Sequence, residues 1–242
     1  TITPTASKTQ PCIAYPTFTP IPPTATSTLT PTATTDPLLE NTGLIILSMS
    51  DGYYSHLFAY HPQSQPLTRL TDDPWDDRQP AISPDGSRIA FSSRRNGYWD
   101  IYILSLANGL LTRVSDTPQY DGSPTWSPDG KWLAYETYID SNLEIVLHSL
   151  ADIDQPPIRL TEDPAADYSP KWSPQGRQIA FVSTTSGDEE IWIADLDKVD
   201  DRFKNITQNE TAIDTSPDWS PDGHSLAWTS HQNGIDELVI QD

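Results

Sequence analysis

Ser-Pro-Asp-Gly occurs at Ser83–Gly86, Ser127–Gly130 and Ser220–Gly223, and the variant Ser-Pro-Gln-Gly occupies Ser173–Gly176. The glycines that end these four tetrapeptides follow one another at steps of 44, 46 and 47 residues. A near-constant period of this size is typical of repeat architectures, in which each repeat is one supersecondary unit. The chain therefore contains four copies of one structural unit.

Each tetrapeptide has the residues of a tight turn between two strands. Proline presets φ, aspartate bonds to nearby backbone, and glycine adopts a positive φ. A short segment that ends in a bulky residue precedes each turn, as in Ser123–Trp126. A β-branched and aromatic segment follows each turn, at Arg88–Phe91, Trp132–Tyr135, Gln178–Phe181 and Ser225–Trp228.

Two further strands complete each unit. The third begins at an acidic residue, at Asp100–Leu104, Glu144–Leu147, Glu190–Ile193 and Glu237–Ile240. The fourth ends in a similar way in three copies, at Leu111–Val114, Ile158–Thr161 and Phe203–Thr207. Four short antiparallel strands per unit, with no helical period, predict the blade of a β-propeller.

The repeat resembles that of TolB-like β-propellers, within the WD40-like repeat class. The resemblance rests on Asp-x-x-Pro-x-Trp-Ser-Pro-Asp-Gly followed by Ile-Ala-Phe and Asp-Ile-Tyr, and it covers about residues 36–242. It implies an all-β, five-bladed propeller of four-stranded antiparallel blades, without the N-terminal α/β domain of TolB itself. We expect the blades at about 37–71, 72–115, 116–161, 162–207 and 208–242.

The composition excludes several partners. The chain has 14 basic and 34 acidic residues among its 242, a formal net charge of −20. This balance argues against nucleic acid, because phosphate binding needs clustered Lys and Arg, and against an anionic membrane surface. No apolar run reaches transmembrane length, so we expect no membrane insertion.

Residues 1–36 form a Thr/Pro-rich tail whose composition favours extended backbone. One interpretation is a flexible stalk. The alternative is a docked strand, because the fifth blade has no fourth strand of its own and open strand edges tend to be covered. We expect the donated strand at about 11–18 and the acceptor edge on the third strand of blade five. The tail residues are Pro11, Cys12, Ile13, Ala14 and Tyr15, and the acceptor residues are Glu237, Leu238, Val239 and Ile240.

One aspartate recurs three residues before each blade proline, which predicts a ring of carboxylates at one mouth of the channel. Such a ring of oxygen ligands suits Ca²⁺, while the alternative is a structural role within each turn. The aspartates in the loops between blades, such as Asp73 and Asp163, are expected to be solvated. The four residues of the predicted ring are Asp77, Asp121, Asp167 and Asp214.

No motif predicts catalysis. The sequence contains no His-Glu-x-x-His and no Gly-x-Ser-x-Gly. We therefore expect no enzymatic activity, no small-molecule substrate and no cofactor other than Ca²⁺. Two N-glycosylation acceptor motifs start at Asn205 and Asn209. Trp126, Trp172 and Trp219 share one repeat position and predict core between blades, whereas Trp75 and Trp99 are expected as exposed contacts.

The sequence thus favours a non-catalytic interaction protein located outside the cytoplasm, either extracellular or on the cell surface. Its predicted partners are other copies of itself, joined head-to-tail when the tail of one chain docks on the next propeller. The alternative is a monomeric periplasmic or cell-surface propeller that binds a protein, peptide or glycan at the channel mouth. In that case the tail is a stalk or a closing strand.

Overall fold

The computed structural model describes residues 43–61, 65–209 and 211–242, and their regular structure consists of 18 β-strands. The strands are β1 (Ile45–Ser50), β2 (Ser55–His61), β3 (Gln65–Arg69), β4 (Asp77–Ile82), β5 (Arg88–Ser93), β6 (Asp100–Ser105), β7 (Leu111–Arg113), β8 (Asp121–Trp126), β9 (Trp132–Ile139), β10 (Asn142–Ser149), β11 (Ile158–Arg159), β12 (Asp167–Trp172), β13 (Gln178–Ser183), β14 (Glu190–Asp195), β15 (Phe203–Asn205), β16 (Ile213–Trp219), β17 (Leu226–Gln232) and β18 (Ile235–Gln241).

These strands form five antiparallel sheets in chain order, which confirms the predicted all-β, five-bladed propeller. Blades two, three and four have four strands each, β4–β7, β8–β11 and β12–β15. Within the described residues, blade one consists of β1–β3 and blade five of β16–β18. The segment expected to form the inner strand of blade one lies outside the described residues.

The repeated tetrapeptide forms the turn that its residues predict. In blade two, the Ser83 hydroxyl donates to Asp85 over 2.6 Å, and the Gly86 amide donates to the Ser83 carbonyl over 2.8 Å. Gly86 has a φ of 71°, the left-handed conformation that favours glycine. The Ser83 hydroxyl also lowers the pKa of Asp85 to about 2. The turn is therefore closed by both backbone and side-chain hydrogen bonds.

Each inner strand of blades two to five contains a bulge that the sequence did not predict. The register shifts between Arg78 and Ala81 in β4, and at the corresponding place in β8, β12 and β16. The residue before the blade proline has a positive φ in each case, at Gln79, Ser123, Ser169 and Ser216. Proline has no N–H to donate to the ladder, so a bulge is where a strand tolerates it.

The hydrophobic core lies between successive blades. Ala90, Ile101 and Ile103 of blade two pack with Trp126 and Leu133 of blade three, and the other clusters join the remaining neighbours in the same way. The repeated tryptophans are core residues between blades, as predicted. Trp126 and Trp219 each donate from Nε1 to a carbonyl of the preceding blade, over 2.9 and 3.0 Å.

Candidate functional site on the fifth blade

One hydrogen bond recurs between the third and fourth strands of blades one to four. The backbone N–H at one repeat position of the third strand (β2 in blade one) donates to a hydroxyl just after the fourth strand (β3 in blade one). The donor–acceptor pairs are Leu57–Thr71 at 3.0 Å, Ile101–Ser115 at 2.8 Å, Ile145–Thr161 at 2.9 Å and Ile191–Thr207 at 3.1 Å. The end of the fourth strand therefore satisfies an N–H group that the third strand cannot satisfy itself.

The acidic residue directly before this N–H donor also bonds to the fourth strand in blades two and three. Asp100 and Glu144 are fully buried, and they accept hydrogen bonds from Arg113 over 2.8 Å and from Arg159 over 2.6 Å. Burial nevertheless raises the pKa of Asp100, and the bonds from Arg113 and the Thr117 amide oppose that rise. A buried carboxylate needs such partners because desolvation destabilises its charged form.

Blade five has this third strand without a fourth. Within the described residues β18 pairs only with β17, so its outer edge has no partner strand. Glu237 occupies the position of Asp100 and Glu144 but is exposed. Leu238 holds the position of Ile101 and Ile145, whose N–H groups donate to fourth-strand hydroxyls. The predicted acceptor residues thus lie on an open strand edge.

The same strand exposes apolar side chains that the other blades bury. Leu238 and Ile240 are 74% and 65% exposed, whereas Ile101 and Ile103 at the equivalent positions are 0% and 7% exposed. Val239, which points to the opposite side, packs against the core shared with blade four. The exposed face of β18 therefore has the residues of an interblade contact and no described neighbour covering it.

Blade one exposes the complementary side of its sheet. Ile45 is 48% exposed, whereas Ile89, at the equivalent position of blade two, is fully buried against blade one. Tyr53 and Tyr54, in the turn after β1, are also exposed. The first and last blades therefore both present interblade positions to solvent.

The four aspartates of the predicted ring occupy equivalent buried positions at the start of the inner strands. Each is at most 1% exposed and each has a carboxylate oxygen without a hydrogen bond. No group of three or more His, Cys, Asp or Glu that could hold a metal ion occurs among the described residues. The structure thus places one aspartate in each of blades two to five and does not bring them together, and a Ca²⁺ site there stays a prediction.

The two tryptophans expected as exposed contacts are half-buried. Arg78 lies over the Trp99 ring at 5.3 Å and covers part of it. Trp75, in the loop before β4, buries its Nε1 atom without a hydrogen-bond partner in the described residues. Their off-register positions predicted exposed contacts, but both residues are only partly exposed. The predicted docking segment, Pro11–Tyr15, lies outside the described residues.

Comparison with known proteins supports the fold. Residues 116–241, just over half of the chain, match the family model described as PD40, TolB beta propeller domain. No sequence among the curated proteins matches the chain. No helix within the described ranges is long and apolar enough to cross a membrane.

Solved structures give the same architecture. TolB from Acinetobacter baumannii has 22% identity and a TM-score of 0.72, with 82% of this chain and 49% of that chain covered. A putative TolB from Agrobacterium tumefaciens has 24% identity and a TM-score of 0.68, with 82% and 76% covered. A puromycin-hydrolyzing peptidase from Mycobacterium tuberculosis has 14% identity and a TM-score of 0.60, with 83% and 36% covered. The chain spans about half the length of the first of these proteins, and the likeness is one of fold.

Proposed function

The chain belongs to the TolB beta propeller domain family, and on that premise we propose that it is a non-catalytic interaction protein that acts outside the cytoplasm and assembles head-to-tail. In this proposal the N-terminal tail of one copy docks as the missing fourth strand on β18 of the next copy. The fold supports an interaction role, because propellers present large rigid surfaces. The location outside the cytoplasm rests on the family and on the Thr/Pro-rich tail.

The edge of β18, which has no partner strand within the described residues, is the observation that carries this proposal. A strand that pairs there gains backbone hydrogen bonds, which is how β-augmentation gains affinity. Leu238 and Ile240 lie on the sheet face that blade three covers at Ile101 and Ile103 of blade two, so the neighbouring propeller, not the docked strand, would cover them. At about 25 cal/mol for each Å² of apolar surface, covering two such side chains contributes a few kcal/mol to association.

The fourth strands of the other blades indicate what the docked segment requires. They place an apolar residue directly before the hydroxyl that accepts the third-strand N–H, at Leu70–Thr71, Val114–Ser115, Leu160–Thr161 and Ile206–Thr207. The tail has the same order at Phe18–Thr19 and at Leu29–Thr30. Phe18–Thr19 lies at the end of the segment, about 11–18, that the sequence predicts to dock. We therefore expect a docked strand in which Thr19 accepts the N–H of Leu238.

Particle size in solution tests the assembly. Light scattering and negative-stain microscopy compare the full chain, a chain without residues 1–36, and the double variant Leu238→Glu/Ile240→Glu. We expect rings or filaments from the full chain and single particles from both altered proteins. The matched control is Leu110→Glu/Val199→Glu, which changes two equally exposed apolar residues on other blades and should assemble normally. Monodisperse monomers of the full chain at all concentrations would contradict the proposal.

A further inference from the structure

Blade two contains a buried arginine held by two carboxylates and two aromatic rings. Arg95 donates from Nη2 to Oδ1 of Asp77 over 3.0 Å, and its Nη1 lies 3.7 Å from Oδ2 of Asp73. Its guanidinium carbon lies 4.8 Å from the ring centre of Tyr102 and 5.5 Å from that of Phe91. Only 11% of the Arg95 side chain is exposed. We call this arrangement the arginine socket of blade two.

Blade four repeats the walls of that socket. Asp163 and Asp167 occupy the positions of Asp73 and Asp77 in the aligned repeats, Leu-Thr-Glu-Asp-Pro-Ala-Ala-Asp against Leu-Thr-Asp-Asp-Pro-Trp-Asp-Asp. Phe181 pairs with Trp192 across β13 and β14, just as Phe91 pairs with Tyr102 across β5 and β6. Both carboxylates and both aromatic positions are therefore present.

The arginine itself is absent from blade four. Ser93 pairs with the first residue of the third strand in blade two, and Ser183 does so in blade four. The residue two places later is Arg95 in the first case and Thr185 in the second. The Thr185 hydroxyl donates to Asp163 over 3.1 Å but is too short to reach the rings. The socket in blade four thus has no cationic side chain of its own.

A cavity of about 300 Å³ occupies this place. Asp167 lines it and is 1% exposed; the Ser183 and Thr161 hydroxyls lie near its carboxylate but are bonded to Thr185 and Glu144, and neither carboxylate oxygen has a hydrogen bond of ordinary geometry within the described residues. The Nε1 atom of Trp192, another lining residue, is also buried without an acceptor. Glu162 and Thr185 lie at the exposed rim, so the cavity opens to solvent. Buried polar atoms without partners are rare in folded proteins, and each one requires a physical explanation.

We propose that the blade-four cavity binds the guanidinium group of an arginine side chain that a partner peptide or protein presents. The ligand's cation then takes the place that Arg95 fills in blade two, between two carboxylates and against two aromatic rings. Guanidinium suits this site because it is planar, bonds carboxylates through a fork of N–H groups, and stacks on aromatic faces. A metal ion fits less well, because two of the walls are aromatic.

Blade three has a cavity at the equivalent place but lacks two of the four wall residues. There Thr117 replaces the first aspartate, Val146 replaces the second aromatic residue, and Ile139 stands in the position of Arg95. Thr117 also donates to Asp121 over 3.1 Å, so one of its oxygens is satisfied. Blade three has thus lost half of the binding groups, and blade four retains them all. The proposed site lies apart from β18 and does not depend on head-to-tail assembly.

Titration of the full chain with small guanidinium probes tests the proposal. The probe is the capped tripeptide acetyl-Gly-Arg-Gly-amide, and its comparator carries citrulline, which has the same shape without the charge. Isothermal titration calorimetry should show saturable binding of the arginine peptide and at least tenfold weaker binding of the citrulline peptide. If the tripeptide binds more tightly than free arginine, the natural ligand is an arginine side chain of a partner chain. If the two bind equally, the natural ligand is a small guanidinium compound. Both results support the socket.

Variants locate the binding. Thr185→Arg fills the socket from within and should reduce binding at least tenfold, as should Asp167→Asn. Asp121→Asn alters the equivalent aspartate of blade three and should bind like the wild type. Circular dichroism confirms that each variant is folded, and Thr185→Arg keeps the test valid if Asp167→Asn does not fold. Equal binding of the citrulline peptide, undiminished binding by folded Thr185→Arg, or no binding by the wild type at millimolar peptide would overturn the proposal.

Discussion

The guanidinium of Arg95 and the carboxylate of Asp77 form an ion pair at 3.0 Å in the interior of blade two. Asp77 is fully buried and Arg95 nearly so. Each charge offsets the cost of removing the other from water. The equivalent residues of blade four, Thr185 and Asp167, cannot form this pair. Replacement of the arginine by threonine at this repeat position therefore leaves the buried aspartate of blade four without a cationic partner from that position.

Arg95→Met tests how strongly blade two depends on this pair. Methionine retains much of the apolar stem and removes the charge, which leaves Asp77 buried without a cation. We expect the free energy of unfolding to fall by about 3–5 kcal/mol, as measured by denaturant titration. The double variant Arg95→Met/Asp77→Asn should recover most of the loss, since it removes the unpaired charge as well.

The control for this prediction is Arg94→Met. Arg94 is exposed, and within the described residues its guanidinium makes one long hydrogen bond, of 3.4 Å, to the Gly97 carbonyl. Its replacement should change stability by less than about 0.5 kcal/mol. If Arg95→Met were as stable as Arg94→Met, the buried ion pair would have no structural role.

Asp167 predicts a specific dependence of stability on pH. Burial raises its pKa to about 7, against the smaller opposing effect of the Ser183 and Thr161 hydroxyls. An aspartate in the unfolded chain has a pKa of about 3.9. Between these values the folded chain binds a proton that the unfolded chain has lost, so stability falls as pH rises from about 4 to 7.

Asp167→Asn should remove this part of the pH dependence. The shift corresponds to a contribution on the order of 4 kcal/mol at pH 8, so the variant should be more stable than the wild type at pH 8 and similar to it at pH 4. Urea titrations at the two pH values measure the difference. Asp116→Asn, at an exposed loop position, is the control and should follow the wild type. Parallel pH profiles for the wild type and Asp167→Asn would contradict the assigned role.

Thr161→Val tests the hydrogen bond that joins the third and fourth strands. The Thr161 hydroxyl accepts the Ile145 N–H over 2.9 Å and donates to Glu144 over 2.7 Å. Valine has a similar shape and leaves both buried groups without this partner, so we expect a loss of about 1–3 kcal/mol. Thr112→Val, on the exposed side of β7, is the matched control. A loss no larger than that of the control would show that the contact contributes little.

The repeats made much of the fold predictable. Four aligned turns placed the second and third strands of each blade, because contacts between repeats recur wherever the residues recur. Trp126 is an example, since its shared position predicted burial between blades and the structure places it there. The bulge at Gln79 and Ser123 was missed although the proline that follows each of them favours one. Gln79 accepts the Ser123 N–H over 3.0 Å, and no local pattern indicates that bond.

The candidate sites were predictable to different degrees. The predicted acceptor residues lie on β18, which pairs only with β17 within the described residues, and whether a tail strand docks there stays a prediction. The socket in blade four was missed because Asp73 and Asp163 looked like solvated loop residues. The sequence feature that could have revealed it is the alignment of the repeats, in which Arg95 of blade two corresponds to Thr185 of blade four. This difference indicates a binding site only when the structure shows that the carboxylate and aromatic residues around it are the same in both blades.

Covalent trapping of the docked tail is the most direct test of head-to-tail assembly. Cys12 is the one cysteine in the sequence and lies in the segment predicted to dock, so Glu237→Cys places a second thiol on the acceptor strand. Treatment with a short bis-maleimide reagent should yield a ladder of covalent multimers on denaturing gels, and Cys12→Ser/Glu237→Cys should not form the ladder. A second control, Val199→Cys, puts the thiol at an exposed site away from β18. A product of monomer mass with Cys12 joined to the thiol at position 237 of the same chain, or no cross-link at all, would contradict assembly by strand donation.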